Sequence, residues 1–94
     1  MKVKNIKEAK KFEDIPNVGK RVAGDFKMLG FRTPQDLRGK HPLVLYKTLC
    51  KMTKSRQDPC VLDTFMAVVE FADGKSANPW WKYTKERKEK YPNL

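Results

Sequence analysis

Residues 15–23, IPNVGKRVA, combine residue types that could bind an anion. A tight turn directly before a helix leaves backbone N–H groups pointing outward, where the positive end of the helix dipole adds to their attraction. Gly19 would let a phosphate approach the backbone closely, and Asn17 tolerates a left-handed conformation better than most non-glycine residues. Lys20 and Arg21 place two positive charges beside these amides. The predicted chemistry is phosphate binding without contact to base edges.

The charge of the chain favours a polyanionic partner. The 94 residues carry 21 Lys and Arg against 11 Asp and Glu, a net charge of +10 and a pI of about 9.8. Both halves contribute, with 12 basic and 5 acidic residues in positions 1–50 and 9 and 6 in positions 51–94. Such a surplus predicts binding to nucleic acid ahead of an acidic protein or a membrane surface.

The elements that must position the turn are predicted to be helices. Apolar residues at three-residue spacing predict a basic helix over residues 5–15, ended by a proline. A second helix is predicted over residues 20–29. Thr33 as N-cap and Asp36 three residues later nearly match a capping box, and they predict a short third helix ending at Gly39.

The second half of the chain repeats the start signals of helices. Pro42 is predicted to open one helix, and Asp58 as N-cap with Pro59 at the first position is predicted to open the central buried helix, which Gly74 ends. A last helix is predicted over residues 79–90.

The predicted fold is all-α, a compact bundle of five or six helices in one domain covering residues 1–94. Its helical core would span residues 12–73, followed by a basic, aromatic C-terminal segment over residues 74–94. No apolar run approaches the length of about 20 residues that a spanning helix requires, and no signal peptide is visible. We therefore expect a cytoplasmic protein that is not bound to a membrane.

The chain offers little for catalysis or metal binding. Cys50 and Cys60 lie on predicted apolar helix faces, and we expect buried, unreactive free thiols. Together with His41 they match no zinc spacing, and three ligands leave a structural tetrahedral site incomplete. We expect no cofactor, no metal and no enzymatic activity.

The aromatic segment NPWWKYTKERKEK permits two interpretations. Trp80 and Trp81 could stack on unpaired bases while nearby cations follow the phosphates. Alternatively, one or both complete the core, which we favour because a small core gains much from one large aromatic side chain. Lys40, Lys82 and Lys85 are predicted as secondary nucleic-acid contacts.

The turn resembles the helix-hairpin-helix motif, an apolar residue followed by Pro, Gly, an apolar residue, Gly, three variable residues and Ala. The matching residues are Ile15, Pro16, Val18, Gly19 and Ala23, with Asn17 in place of the first glycine. In that family the hairpin amides bind a DNA phosphate without regard to sequence. The resemblance thus implies contacts at Asn17, Val18, Gly19 and Lys20, to which Arg21 adds its charge.

The order of motifs from Phe12 to Lys85 resembles the small bacterial pathogenicity-locus family, which is related to mitomycin-resistance-type helix-hairpin-helix proteins. The resemblance implies a SAM-like fold and a degenerate second hairpin at LRGKHP, which contains only Gly39. We expect a DNA-binding accessory module that holds the phosphate backbone without sequence specificity. The alternative is a SAM-like adaptor that contacts another, acidic protein and has no direct role with nucleic acid.

Overall fold

The computed structural model describes residues 2–94, so Met1, part of the predicted 1–94 domain, lies outside the described residues. Within residues 2–94 the chain is all-helical and contains no strand. Its four α-helices are α1 (Lys20–Met28), α2 (Pro42–Thr53), α3 (Pro59–Ala72) and α4 (Thr84–Lys90). Its four 3₁₀ helices are Ile6–Glu8, Phe12–Asp14, Pro34–Leu37 and Trp80–Tyr83. The Cα radius of gyration, 12.4 Å, is that of a compact chain.

The predicted helix over residues 5–15 is wrong, and two 3₁₀ helices replace it. The Asn5 side chain accepts a hydrogen bond from the Lys7 N–H at 2.9 Å. The Asp14 carboxylate accepts from the Lys10 and Lys11 N–H groups at 2.9 and 3.1 Å. These bonds hold the backbone in short turns, because side chains that satisfy nearby amides compete with the helical ladder. The third predicted helix is also a 3₁₀ helix, Pro34–Leu37. Residues 2–94 therefore contain four α-helices instead of the predicted five or six helices.

The start signals predicted for the other helices are confirmed. Asp36 accepts hydrogen bonds from the N–H groups of Thr33 at 2.9 Å and of the preceding residue at 3.0 Å, which completes the capping box. Pro42 is the first residue of α2 and Pro59 the first of α3. The Asp58 carboxylate caps α3 by accepting an amide hydrogen bond at 2.9 Å.

The core is built around α3, in which 11 of 14 residues are buried, as the sequence predicts for the central helix. Phe26 of α1 packs on Phe65 of α3 and on Phe12, with ring centroids 5.3 and 5.6 Å apart. Ile15 and Val18 are also fully buried beside them. The turn that precedes α1 therefore rests on the core through its apolar residues, which holds its backbone in place.

Two units of the fold recur at an interval of 22 residues, and the second contains LRGKHP, where the family resemblance implies a degenerate second hairpin. In each, a 3₁₀ helix leads through a short turn into an α-helix; the turns are residues 16–19 before α1, here the first turn, and residues 38–41 before α2, the second turn. Asp14 and Asp36 occupy equivalent positions and each accepts two backbone hydrogen bonds. The units share backbone geometry more than residue identity.

Among residues 2–94, no helix combines the length and the apolar composition needed to cross a bilayer.

Candidate nucleic-acid interface

The first turn has a buried side and an exposed side. Val18, one of the predicted contacts, is fully buried, and its N–H donates to the Ile15 carbonyl at 3.1 Å, so it offers no free donor to a ligand. Gly19, Lys20 and Arg21 are exposed. Gly19 is the N-cap of α1, with φ −101°, and it has no side chain with which to cap the helix. The N-terminal end of α1 is therefore packed against the core on one side and exposed to solvent on the other.

Several backbone donors at this end of α1 are unpaired in the described part of the chain. Within residues 2–94, the N–H groups of Asn17, Gly19, Lys20 and Arg21 make no hydrogen bond. The first N–H groups of an α-helix have no intrahelical acceptor, and they carry the positive end of its dipole. Donors of this kind at a helix N-terminus can bind an anionic oxygen.

Positive charge beside these donors is not neutralised. Within residues 2–94, salt bridges involve three of the 21 Lys and Arg side chains, and neither Lys20 nor Arg21 is among them. The Arg21 guanidinium donates to the Gln57 side chain at 3.1 Å, which orients it without cancelling its charge. One turn further along α1, burial raises the pKa of Asp25, and the charge of Arg21 opposes this effect.

Asn17 has a role that the sequence did not indicate. Its φ of 74° is left-handed, in agreement with the tolerance predicted for asparagine. Its side-chain amide donates to the Asn78 carbonyl at 2.8 Å, and its side-chain oxygen accepts from the Trp80 N–H at 3.2 Å. The side chain of Asn17 thus holds the C-terminal segment, residues 74–94, here the tail. Its backbone N–H, which has no partner within residues 2–94, is the group of Asn17 that is left to contact a ligand.

The second turn is closed by the protein itself. Gly39 corresponds to Asn17 in the 22-residue repeat and has the same φ of 74°. Its N–H donates to the Asp73 carboxylate at 2.6 Å, and Pro42, at the first position of α2, has no N–H to offer. A phosphate at this turn would have to displace a carboxylate. Lys40 is exposed in this turn but lies beside an amide that is already occupied.

The prediction that Trp80 or Trp81 completes the core is wrong. Trp81 is 62% exposed and Trp80 is 36% exposed, and their rings meet edge to face with centroids 5.9 Å apart. Tyr83 is the aromatic side chain of the tail that enters the core. Its burial raises the pKa of the phenol.

A buried ion pair anchors the tail to α3. Asp63 is fully buried, and it accepts hydrogen bonds from the Arg87 Nε at 2.9 Å and the Thr84 hydroxyl at 2.7 Å. The hydrogen bond to Asp63 is the main cause that raises the pKa of Arg87. Lys82 and Lys85 remain exposed on the tail, outside this network.

Both cysteines are free and half-buried, less enclosed than predicted. The Cys50 sulfur accepts a hydrogen bond from the Gln57 N–H at 3.3 Å, and burial raises the pKa of the Cys60 thiol. A raised pKa lowers the thiolate fraction and with it the nucleophilicity at neutral pH. In the described part of the chain, no three His, Cys, Asp or Glu side chains group together as metal ligands would.

Comparison with known proteins places the chain in a family. A family model described as "Pathogenicity locus" matches residues 5–89, which include both turns and most of the tail. The chain belongs to this family. It is also 44% identical over 74 residues to the mitomycin resistance protein McrB of Streptomyces lavendulae, which covers 79% of this chain and 70% of that protein. No solved structure matches the chain.

Proposed function

We propose that this protein is a bacterial, cytoplasmic DNA-binding accessory module that holds the phosphate backbone at the first turn, without sequence specificity. In this proposal residues 15–23 act as a helix-hairpin-helix motif within a SAM-like fold. The helix that opens the motif is a single 3₁₀ turn, Phe12–Asp14. The observation that carries the proposal is the set of unpaired, exposed amides at the start of α1.

The contrast between the two turns supports an anionic ligand. At the second turn a carboxylate oxygen of Asp73 lies 2.6 Å from the N–H of Gly39. The equivalent N–H in the first turn belongs to Asn17 and has no partner within residues 2–94. Asn17 and Gly39 share a φ of 74°, and the N–H of Gly39 binds an internal carboxylate. We infer that the N–H of Asn17, beside the positive charges of Lys20 and Arg21, can bind an anionic oxygen in the same way.

The expected mode of binding is electrostatic and independent of sequence. Backbone amides and lysine or arginine side chains contact phosphate oxygens, which fix position but carry no sequence information. Such binding typically has a Kd of about 10⁻⁴–10⁻⁶ M at physiological salt. On duplex DNA, log Kd rises with the logarithm of the salt concentration, with a slope of about 0.9 per phosphate contact.

The test is fluorescence anisotropy of a labelled blunt duplex, titrated with protein across a salt series. The test variant is the double substitution Lys20→Gln/Arg21→Gln. Its matched control is Lys47→Gln/Lys51→Gln, which removes the same charge from two exposed positions on α2 that form no salt bridge within residues 2–94. We expect the test variant to lower the salt slope by about 0.9 to 1.8, which corresponds to the loss of about one or two phosphate contacts. The control variant should change the slope little.

Two results would overturn the proposal. Absence of binding at low salt, despite the net charge of +10, would remove it outright. Equal losses in the two double variants would show that net charge alone attracts DNA and that the first turn is not the site.

The alternative proposal, a protein adaptor, would then take precedence. The large apolar side chains exposed on α1 and α2, Met28, Val44 and Met52, occur singly, as on most protein surfaces. Single exposed side chains of this kind do not by themselves indicate a protein-docking surface.

A further inference from the structure

We infer that the tryptophan pair of the tail binds an unpaired base next to the phosphate held at the first turn. The preferred ligand would then be DNA with a single-stranded end or gap rather than intact duplex. This inference rests on the proposed function and specifies its substrate class.

The first support is the exposure of the rings. Trp81 is 62% exposed. Trp80 and Trp81 meet edge to face at an interplanar angle of 84°, so the contact between the two rings leaves aromatic surface uncovered. Tyr83 is the aromatic residue of this segment that packs in the core, whereas the two adjacent indoles lie outside it. Flat aromatic surfaces of this kind stack on bases of any sequence.

The second support is the position of the pair. Asn17 of the first turn bonds the Trp80 N–H and the Asn78 carbonyl, so the backbone of the tail contacts the turn itself. Gly19 follows Asn17 by two residues, so their Cα atoms are at most about 7 Å apart. The amides and the indoles therefore lie within the reach of neighbouring nucleotides on one strand.

The third support is charge. Lys82 and Lys85 follow the indoles, are exposed, and form no salt bridge within residues 2–94. Aromatic side chains interleaved with free cations are the usual composition of a single-strand binding surface, where bases stack and the cations follow the backbone. An unpaired strand supplies both partners, whereas a blunt duplex keeps its bases stacked inside.

The chain provides its own probe, because Trp80 and Trp81 are its only tryptophans. Their intrinsic fluorescence reports this surface alone. We would titrate the full chain with four unlabelled ligands of equal phosphate number: a blunt duplex, a tailed duplex, a single strand, and a single strand of abasic sites. The abasic strand keeps the backbone charge and removes the bases.

The expected result is quenching of the emission by the tailed duplex and the single strand, and little quenching by the blunt duplex or the abasic strand. Trp81→Ala should weaken binding of the tailed duplex and single strand about 5- to 100-fold. It should leave blunt-duplex affinity unchanged. Met52→Ala, also an exposed apolar residue, is the matched control, and thermal unfolding confirms that both variants fold.

Other outcomes separate the two hypotheses. If blunt duplex binds with the expected salt slope but the tailed ligands bind no tighter and emission does not change, the base-stacking inference is wrong and the proposed function stands. If the abasic strand quenches as strongly as the normal strand, the signal does not come from bases, and the inference is again wrong. If no ligand binds, the proposed function itself fails.

Discussion

Replacing Gly19 with Asp should stabilise the fold and weaken DNA binding at the same time. No atom lies within 4 Å of a Cβ built on Gly19, and its φ of −101° suits any L residue. A side chain fits there without strain. Aspartate is among the best N-cap residues, because its carboxylate accepts from the amides of the first helical turn.

The magnitude follows from two effects of the substitution. An N-cap aspartate in place of glycine contributes a few tenths of a kcal/mol. The negative charge at the positive end of the helix dipole adds about 0.3–1 kcal/mol. A gain of about 0.5–1 kcal/mol corresponds to a rise in Tm of about 2–8 °C for a domain of this size.

The same carboxylate occupies the amides that the proposed function assigns to phosphate, as Asp73 already does at the second turn. Loss of a charge-assisted hydrogen bond, worth about 1.5–3 kcal/mol, should lower DNA affinity about tenfold or more. We would measure Tm by circular dichroism and Kd by anisotropy. Gly24→Asp is the control, because Gly24 is exposed on the same helix, has open space at its Cβ, and gives the same change in charge away from the amides.

Gly19→Asp with unchanged affinity would refute the assignment of the site. An equal loss in Gly24→Asp would assign the effect to net charge. A lower Tm for Gly19→Asp would show that the amides of α1 are not free to be capped.

The remaining predictions concern stability. Arg87→Met leaves the fully buried Asp63 without its ion-pair partner and should cost about 3–5 kcal/mol in urea unfolding. Lys90→Met, which breaks only an exposed pair, should lower stability far less, and equal losses in the two variants would contradict the assignment of Arg87 as the anchor. Backbone hydrogen bonds lower the pKa of Asp14 and Asp36, so the unfolded chain takes up protons first as the pH falls below about 4, and stability is lost there. Replacing either with Asn should destabilise at pH 7 and have a smaller effect at pH 3, measured as the urea midpoint; the same loss at both values would contradict the role of the charge.

The helices that the sequence predicts correctly are those whose start signals are local. Pro42 opens α2, and Asp58 with Pro59 opens α3, because a cap and the residue it satisfies lie within a few positions of each other. The N-terminal segment has helical spacing of its apolar residues, yet the competing bonds of Asn5 and Asp14 break it into two turns. The spacing of the apolar residues alone does not reveal these competing side-chain hydrogen bonds.

The candidate site likewise has local features that the sequence could predict and long-range contacts that it could not. Gly19, Lys20 and Arg21 are consecutive, so their juxtaposition could be predicted without the fold. The bonds from Asn17 to the tail span about 60 residues, and the bond from Gly39 to Asp73 spans 34. Neither contact has a local signature, and only the packing of α3 decides that Tyr83 enters the core while both indoles remain outside.

The two bonds of Asn17 also link the order of the tail to whatever occupies the first turn. If a ligand binds more tightly to the form in which the tail is docked, then binding must favour docking by the same factor, since coupling between two sites is reciprocal. If only the docked fraction is competent to bind, the apparent Kd equals the intrinsic Kd divided by that fraction. A substitution at Thr84 or Arg87, whose side chains bond Asp63, could therefore change affinity without touching the ligand, by changing the fraction of molecules in which the tail is docked.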